Sequence, residues 1–234
     1  MLARYQRIVV LTGAGISRSA GLPTYRGPDG LWNDPANVAL NTIEALRSRR
    51  TDTCEMFWKF RAGIGKAEPT RAHRALAEFA RALKPPATMT IITQNVDGLH
   101  QRAGSFNVCE YHGSLTRWNC EICHVELEPP WLDHDPSPPH HCGEVMRPSV
   151  VLFGEMIPTE AEHAAKRALR DCDLFVAIGT SGTVAPASSF VRWAQLNNAR
   201  RVLLNLEGFD GDDEFTDRDL GPADELVPKW FATV

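Results

Sequence analysis

Polar side chains able to do chemistry follow two apolar segments near the middle of the chain. Gln94, Asn95 and Asp97 come directly after one apolar run, and His112 follows a second, shorter run. Ligands of parallel sheets lie at the carboxyl ends of strands, so these side chains are expected at one sheet edge. Amide and carboxylate groups suit a ribose or an amide, although each alone also suits an ordinary turn. A lone histidine is usually structural, but beside this cluster His112 is a candidate general base.

A glycine-rich turn follows the first apolar run of the chain. Residues 8 to 15 read Ile-Val-Val-Leu-Thr-Gly-Ala-Gly, which predicts a strand buried on both faces. Gly13 and Gly15 allow a tight turn and the close approach of a ligand. A helix opening at Ile16 would point free N–H groups at a phosphate. Arg18 replaces the third glycine of the dinucleotide fingerprint, so an ordinary buried strand with a tight turn is the alternative.

Two more loops at strand ends suit a nucleotide. Residues 21 to 30 are rich in glycine and proline and contain Arg26, which is either a phosphate ligand or a solvated surface arginine. Residues 179 to 183 read Gly-Thr-Ser-Gly-Thr and allow close backbone approach. Asn205 ends a further strand, where an amide suits a ribose hydroxyl.

Residues 115 to 147 contain few apolar side chains and several cysteines, histidines and prolines. A bound metal would replace the missing core. The pattern Cys120-x-x-Cys123, followed by His140-x-Cys142, predicts a tetrahedral zinc site with three thiolates and one histidine. His140 is favoured as the histidine, with His141 as the alternative. A vestigial loop with free cysteines is the remaining possibility.

The elements that must position these groups alternate between strand and helix. Strands are predicted at 88–93, 107–111, 174–178 and 201–206, and helices between Thr70 and Pro85, at 159–170, at 186–197 and at 222–231. Residues 36 to 66 are expected to be helical in short pieces, with breaks at Gly63 and Gly65. This alternation predicts a parallel sheet with right-handed crossovers.

Composition bounds the class of protein. The chain has 234 residues, 43% hydrophobic and 23% charged, as in globular domains. A net charge of −4 gives no electrostatic reason to expect a nucleic-acid partner. No apolar run approaches the roughly 18 residues that a membrane helix needs, and no signal peptide is recognised, so a cytoplasmic location is expected.

Taken together, the motifs resemble those of the sirtuins, which are NAD-dependent protein lysine deacylases. The blocks occur in the family's order over nearly the whole chain. They are Gly13-Ala-Gly-Ile-Ser17, Gly21-Leu-Pro-Thr-Tyr-Arg26, Thr93-Gln-Asn-Val-Asp-Gly-Leu-His100, His112-Gly-Ser114, the cysteine module, Arg147-Pro148, Phe153-Gly-Glu155, Gly179-Thr-Ser181 and Asn205.

The resemblance implies an α/β fold with a Rossmann-like parallel sheet and helices on both faces. It implies that residues 1–28, 67–114 and 148–234 form this NAD-binding domain. A small inserted module is expected to have a helical part at 29–66 and a zinc-binding part at 115–147.

The resemblance also implies roles for single residues. His112 is the expected general base. The expected NAD-binding residues are Gly13, Ala14, Gly15, Ile16, Thr24, Tyr25, Arg26, Gln94, Asn95, Asp97, Gly179, Thr180, Ser181 and Asn205. Those expected to bind the acyl-lysine peptide are Val151, Phe153, Gly154 and Glu155, together with Trp58 and Arg61 if the acyl group is acidic.

The activity implied by the resemblance is the transfer of an acyl group, most simply acetyl, from a protein lysine to the ADP-ribose part of NAD. The implied products are free lysine, nicotinamide and O-acyl-ADP-ribose, and zinc is expected to be structural. Alternatives are ADP-ribosyl transfer or NAD hydrolysis on the same scaffold, and an NAD sensor without catalysis.

Two departures bear on the acyl group. Sirtuins that remove succinyl-type groups have Tyr-x-x-Arg where this chain has Trp58-Lys-Phe-Arg61, and alanine where this chain has Pro28. Arg61 is therefore either the partner of an acyl carboxylate or a surface arginine. A third departure, Tyr25 in place of phenylalanine, keeps an aromatic ring.

Overall fold

The computed structural model describes residues 2–27, 30–129 and 137–232. The strands, in chain order, are β1 Arg7–Thr12, β2 Thr88–Thr93, β3 Val108–Glu110, β4 Gly113–Asn119, β5 Glu126–Leu127, β6 His140–His141, β7 Glu144–Val145, β8 Arg147–Val150, β9 Leu174–Ile178, β10 Arg200–Asn205 and β11 Asp217–Leu220. The α-helices are α1 Pro35–Leu40, α2 Ile43–Ser48, α3 Arg50–Lys66, α4 Arg71–Ala82, α5 Leu99–Arg102, α6 Thr159–Arg170, α7 Phe190–Leu196 and α8 Ala223–Trp230.

Six strands form one parallel sheet in the order β11-β10-β9-β1-β2-β3. The chain order reverses between β1 and β9, which is the switch point where doubly wound sheets bind nucleotides. Thr12 at the end of β1 pairs in register with Thr93 of β2 and Ile178 of β9. The three segments that follow these strands therefore leave the sheet side by side. The predicted Rossmann-like sheet is confirmed.

Helices cover both faces of this sheet, as its apolar strands require. In β9 all five residues are buried, and alternate side chains enter opposite cores because successive strand residues point to opposite faces. Leu174, Val176 and Ile178 pack with α4 and α8, whereas Phe175 and Ala177 pack with α6 and α7.

A third apolar cluster lies in the inserted segments. It combines residues of α2 and α3 with residues of the antiparallel sheet β5-β4-β8. At its centre the fully buried ring of Trp118 meets Trp58 edge to face, with 5.1 Å between ring centroids. The helical and zinc-binding segments thus share one core. The proposed division of the chain into domains stays a prediction.

Most elements lie where the sequence predicts them, and the differences are local. The prediction that Gly63 and Gly65 break a helix is wrong, because α3 continues to Lys66. Its side chains Phe57 and Ile64 are buried in the third cluster, and this packing outweighs the low helix propensity of glycine. The helix expected at Ile16 is a 3₁₀ helix, Ala14–Ala20.

Among the described residues, no helix combines the length and the apolar character needed to cross a bilayer.

Candidate active site

The turn after β1 packs backbone to backbone against the turn after β9. Gly13 N donates to the Ile178 carbonyl and Gly15 N donates to the Gly179 carbonyl, both at 3.0 Å. A Cβ atom on Gly15 would lie 2.6 Å from Gly179 Cα, and one on Gly179 would lie 2.6 Å from Ile16 N. Contacts this short exclude any side chain, so glycine is required at both positions. The structure thus brings the two predicted nucleotide loops together.

Asn95 and Asp97 are buried beside the first glycine turn. Asn95 Nδ2 donates to the Gly13 carbonyl at 3.1 Å and to Ser17 Oγ at 3.2 Å. Ser17 Oγ in turn donates to Asp97 Oδ2 at 2.7 Å, and Leu99 N donates to Asp97 Oδ1 at 2.9 Å. Burial raises the pKa of Asp97 even though these hydrogen bonds oppose the shift. The network fixes both side chains relative to the turn.

Asn95 retains one unused polar atom. Its Oδ1 is buried and has no hydrogen-bond partner within the described part of the protein. A buried acceptor without a donor is costly, and at a ligand site it is explained by a donor that the ligand brings. An amide N–H₂ group is such a donor.

His112 is partly buried at the end of β3. Its Nδ1 lies 3.2 Å from the Gln94 carbonyl oxygen, which can only accept a hydrogen bond. The proton of the neutral ring is therefore on Nδ1, and the lone pair is on Nε2. Burial lowers the pKa of His112, with the Gln94 hydrogen bond acting in the opposite direction. The ring is neutral at physiological pH and can accept a proton at Nε2.

The loop with Thr24, Tyr25 and Arg26 lies beside this cluster. Burial raises the pKa of Tyr25, and the nearby Asp97 carboxyl raises it further. The Tyr25 ring stacks on Trp32 with 5.1 Å between centroids. Thr24 Oγ1 donates to the Arg26 carbonyl at 2.8 Å, and the Arg26 side chain is exposed. The loop therefore lies near Asp97 through Tyr25 and carries an exposed cation at Arg26. Pro28 lies outside the described residues.

One backbone edge of the expected peptide-binding segment, residues 151–155, is already hydrogen-bonded within the protein. Phe153 N donates to the Asn41 carbonyl and Ile43 N donates to the Phe153 carbonyl, both at 3.0 Å. These bonds join the segment to the helical part of the insertion. The Phe153 ring is 45% exposed and lies 5.7 Å from the Trp32 ring, while Gly154 next to it is exposed.

Glu155 does not offer its carboxylate to a ligand. Arg147 Nη1 and Nη2 donate to its two oxygens at 2.7 and 2.9 Å, and Leu152 N donates to Oε2 at 2.8 Å. Burial alone would raise the pKa of Glu155, but the Arg147 hydrogen bonds lower it. Its role is to fix the turn after β8. Val151 N is also in use, because it donates to the His112 carbonyl at 2.9 Å.

The predicted adenosine end lies after β9 and β10. Asn205 Nδ2 donates to the Thr180 carbonyl at 3.1 Å and to the Glu207 carbonyl at 2.8 Å. Ser181 Oγ lies 2.9 Å from Thr183 Oγ1. Asn205 therefore ties the two strand-end loops together, and this leaves its Oδ1 as the atom suited to a ribose hydroxyl.

Four metal-ligating side chains converge in the zinc-binding part. The ligand atoms of Cys120, Cys123, His141 and Cys142 all lie within 4.8 Å of one another. His141 Nδ1 is 3.3 Å from Cys123 Sγ and 3.2 Å from Cys142 Sγ. A hydrogen bond from the Cys123 backbone N–H is the main reason why the pKa of the Cys120 thiol is lowered to about 6. The lower pKa favours the thiolate, which is the form that binds a metal. The donor set fits one tetrahedral zinc ion.

The choice of His140 as fourth ligand is corrected by this geometry. Both histidines lie in β6, where His140 pairs with Val145 and His141 with Glu144. Neighbouring residues of a strand point to opposite sides, so only one of them faces the cysteines. That one is His141.

Arg61 is not a surface arginine. Arg61 is only 4% exposed, and its guanidinium lies over the Trp58 ring, 4.8 Å from the ring centroid. Arg61 Nη2 also donates to the Pro129 carbonyl. The surface alternative is therefore wrong, and a role toward an acidic acyl group stays a prediction.

The comparisons with known proteins decide the family. The model of the Sir2 family matches residues 13–186. The chain belongs to the Sir2 family. It is similar to NAD-dependent protein deacetylase 1 of Geobacillus kaustophilus (strain HTA426), with 42% identity over 214 residues, which are 91% of this chain and 86% of that protein.

Two solved Sir2 structures are similar over nearly their full length. A Sir2 homologue in complex with 2'-O-acetyl ADP-ribose has a TM-score of 0.88 and 33% identity, covering 99% of this chain and 92% of that one. A Sir2 complex with a p53 peptide and NAD⁺ has a TM-score of 0.81 and 27% identity, covering 97% and 93%.

Sequence reasoning missed several residues of this Sir2 site. Ser17 bridges Asn95 and Asp97, and its place at the end of the Gly-Ala-Gly-Ile-Ser block was the available signal. Thr12 and Thr93, at paired strand ends, bond to each other at 2.9 Å. Nothing in either strand pattern distinguishes them from ordinary buried threonines.

Proposed function

We propose that the protein is an NAD-dependent protein lysine deacylase whose preferred acyl group is acetyl. The observation that carries this proposal is the neutral His112, with its lone pair on Nε2, at the same sheet edge as the glycine turns and the Asn95–Ser17–Asp97 network. A proton acceptor next to a nucleotide site suits acyl transfer to a sugar hydroxyl better than simple nucleotide binding.

NAD supplies an electrophilic ribose carbon and a nicotinamide leaving group when it is bound. Gly13 and Gly15 admit its pyrophosphate close to the backbone, with Arg26 as the cation, while Ala14, Ile16, Thr24 and Tyr25 line the same turn and loop. Asn95 Oδ1 accepts from the nicotinamide amide, and Asp97 orients Asn95 through Ser17. The remaining NAD-binding residues of this proposal are Gln94 at the nicotinamide ribose and Gly179, Thr180, Ser181 and Asn205 at the adenosine.

His112 acts as the general base. Its Nε2 removes a proton from a ribose hydroxyl, and the Gln94 carbonyl steadies the cation that forms by accepting from Nδ1–H. This role needs the neutral ring, which burial favours. A histidine is suited to it because a modest shift in pKa keeps the base available at neutral pH.

The acylated peptide lies along the segment from Val151 to Glu155. The exposed Phe153 ring and Gly154 face it, and the Arg147–Glu155 pair keeps the turn rigid. An extended peptide pairs with the backbone at Gly154, next to the Phe153 backbone groups that Asn41 and Ile43 occupy. Zinc bound by Cys120, Cys123, His141 and Cys142 is structural and stabilises the module that carries this segment. A cytoplasmic location stays a prediction.

The activity is tested by incubating the protein with NAD and matched peptides that carry acetyl-, propionyl-, malonyl- or succinyl-lysine. Mass spectrometry then follows free lysine, nicotinamide and O-acyl-ADP-ribose. Acetyl-dependent release of all three products supports the proposal. Nicotinamide release without peptide would indicate NAD hydrolysis, a labelled acceptor protein would indicate ADP-ribosyl transfer, and NAD binding without turnover would indicate a sensor.

Removal of an acidic acyl group is the second candidate, favoured by the buried cation of Arg61 beside Trp58. A guanidinium pairs well with a carboxylate in such surroundings. This candidate would be supported over deacetylation if the wild type turned over the succinyl peptide faster than the acetyl peptide and if Arg61→Met lost this preference.

A further inference from the structure

Four side chains of alternating charge join the zinc-binding part to the expected peptide-binding segment. They are Arg50 at the start of α3, Glu121 directly after the ligand Cys120, Arg147 at the start of β8, and Glu155. Arg50 Nη1 donates to Glu121 Oε2 at 2.6 Å. Arg147 Nη1 lies 3.5 Å from Glu121 Oε1 and 2.7 Å from Glu155 Oε1. The two arginines and two glutamates thus form one continuous network.

Glu121 is the carboxylate that the two arginines share. One of its oxygens faces Arg50 and the other faces Arg147. Both cations are partly withdrawn from water, with side-chain exposures of 22% for Arg50 and 9% for Arg147. Like charges in such surroundings repel each other, and a carboxylate between them offsets this repulsion. Glu121 therefore holds the two guanidinium groups in one arrangement.

The zinc side of the network reaches both segments that carry zinc ligands. Glu121 lies between the ligands Cys120 and Cys123. Arg50 also donates from Nε to the Val145 carbonyl at 2.8 Å. Val145 belongs to β7, whose partner strand β6 contains the histidine ligand. A metal that binds all four ligands therefore fixes both segments that the network touches.

The peptide side of the network sets the path of the backbone after β8. Arg147 Nη2 donates to the Val150 carbonyl and to Glu155 Oε2, both at 2.9 Å. Glu155 Oε2 in turn accepts from Leu152 N at 2.8 Å. The two residues between Leu152 and Glu155 are those that face the peptide in the proposed function. A displacement of the Arg147 guanidinium moves this backbone, and misplacement by about an ångström is enough to weaken a directed contact.

We propose that Glu121 is a positioning residue for the acylated peptide, and that through it zinc occupancy and peptide binding support each other. This inference rests on the proposed function. Bound zinc fixes the turn that carries Glu121, Glu121 holds Arg147, and Arg147 holds Glu155 and the turn that faces the peptide. The peptide favours the same arrangement from the other end. Two ligands that favour one arrangement raise each other's affinity by the same factor.

A glutamate that only stabilised the fold would not produce this coupling. Its loss would lower the thermal stability of the protein, but the peptide would still raise the zinc affinity as it does in the wild type. The KM of the peptide would also stay unchanged. The effect of one ligand on the other therefore distinguishes a positioning role from a purely structural one.

The variant Glu121→Gln separates these two roles. The amide keeps the size of the side chain but has only one oxygen, so it cannot accept from one arginine on each side as the carboxylate does. Glu126→Gln is the matched control, because Glu126 also lies in the zinc-binding part and its side chain is 47% exposed, against 44% for Glu121. Glu126 pairs with Arg117 at 3.1 Å and lies outside the network.

The first measurement is steady-state deacetylation by the zinc-loaded protein at saturating NAD. For Glu121→Gln the KM of the acetyl-lysine peptide is expected to rise about fivefold, at the lower end of coupling between two sites, while kcat stays within about twofold of the wild type. Glu126→Gln should match the wild type in both constants.

The second measurement is competition with a colorimetric zinc chelator, which gives the zinc affinity with and without saturating acetyl-lysine peptide. ADP-ribose is present throughout, because it fills the NAD site and has no nicotinamide to lose. The peptide is expected to raise the zinc affinity of the wild type and of Glu126→Gln about fivefold, and that of Glu121→Gln less than twofold.

A wild-type zinc affinity that does not change with peptide would overturn the coupling, and this result needs no variant to fold. An equal peptide effect in the wild type and Glu121→Gln, or an unchanged KM in Glu121→Gln, would overturn the role of Glu121. A wild type that does not turn over the acetyl-lysine peptide would instead overturn the proposed function, on which the inference rests.

Discussion

Gly15 and Gly179 touch through their backbones alone. The Gly15 N–H donates to the Gly179 carbonyl at 3.0 Å, and a Cβ atom on either residue would lie within 2.7 Å of the other turn. The two turns come from strands that are neighbours at the switch point of the sheet. Close packing of the two glycine turns is thus a consequence of two glycines placed far apart in the sequence.

Gly15→Ala should therefore disrupt both the fold and the site. The added methyl group has no flexible side chain to displace, so the loops must separate, and we expect the free energy of unfolding to fall by about 1–3 kcal/mol. NAD affinity should fall at least tenfold. Urea unfolding and NAD titration measure the two effects.

Gly63→Ala is the matched control for this substitution. Gly63 lies inside α3, and a Cβ atom there meets nothing within 4 Å. Alanine should stabilise the helix by about 0.5–1 kcal/mol and leave NAD binding unchanged. If the two variants behaved alike, the backbone contact would not be the reason for glycine at position 15.

A second prediction concerns the pH dependence of deacylation. Because burial lowers the pKa of His112 below its usual 6.5, kcat/KM for the peptide should be constant around neutral pH. It should fall only as the pH drops below 6.5, where the base becomes protonated. His112→Ala should abolish acyl-lysine removal and leave NAD binding within about twofold of the wild type, because the role proposed for the ring is proton removal from the ribose hydroxyl and not binding of the pyrophosphate. Steady-state rates from pH 5 to pH 9 test this, and full activity of the variant would refute the role of His112.

The zinc ligands give a third prediction. His141→Ala removes one of four ligands that lie within 4.8 Å of one another, so it should lower the zinc content and the thermal stability of the protein. His140→Ala, on the other side of the same strand, should change neither. Metal analysis of the purified variants measures this, and zinc loss in His140→Ala with retention in His141→Ala would reverse the assignment.

The parallel sheet and the cluster of polar side chains at its edge could be predicted because both follow from local sequence patterns. Five consecutive apolar residues at Leu174 to Ile178 indicate a fully buried strand, and polar groups directly after such strands must meet at one edge. The zinc histidine could not be predicted, because His140 and His141 differ only in which side of a two-residue strand they face. The burial of Arg61 could not be predicted for a similar reason, because it depends on contacts with Trp58 and with Pro129, which is distant in the sequence.

The Arg147–Glu155 pair supports a fourth prediction. Both partners are largely withdrawn from water, with side-chain exposures of 9% and 20%. Glu155→Leu should lower the free energy of unfolding by about 3 kcal/mol, because it leaves the buried Arg147 charge with only the longer contact to the more exposed Glu121, at 3.5 Å. The double variant Arg147→Met with Glu155→Leu should lose less than the sum of the two single losses. A double-mutant cycle by urea unfolding measures this, and additive losses would show that the two side chains act independently.

The buried histidines also predict how stability depends on pH. In the folded protein the pKa of His73 is about 4, whereas the unfolded chain has the ordinary value of about 6.5. Between these two values the unfolded state binds more protons, so stability is complete above pH 6.5 and is lost as the pH falls toward 4. From pH 8 to pH 5 the protonation of this one histidine should lower the free energy of unfolding by on the order of 2 kcal/mol.

The variant His73→Gln tests this. Glutamine at the N3 position of α4 can still complete the capping box with Thr70, but it does not titrate. The stability of the variant should therefore depend less on pH than that of the wild type, by the same amount. Urea unfolding from pH 5 to pH 8 separates these outcomes, and an identical pH dependence in wild type and His73→Gln would show that His73 is not held neutral by burial.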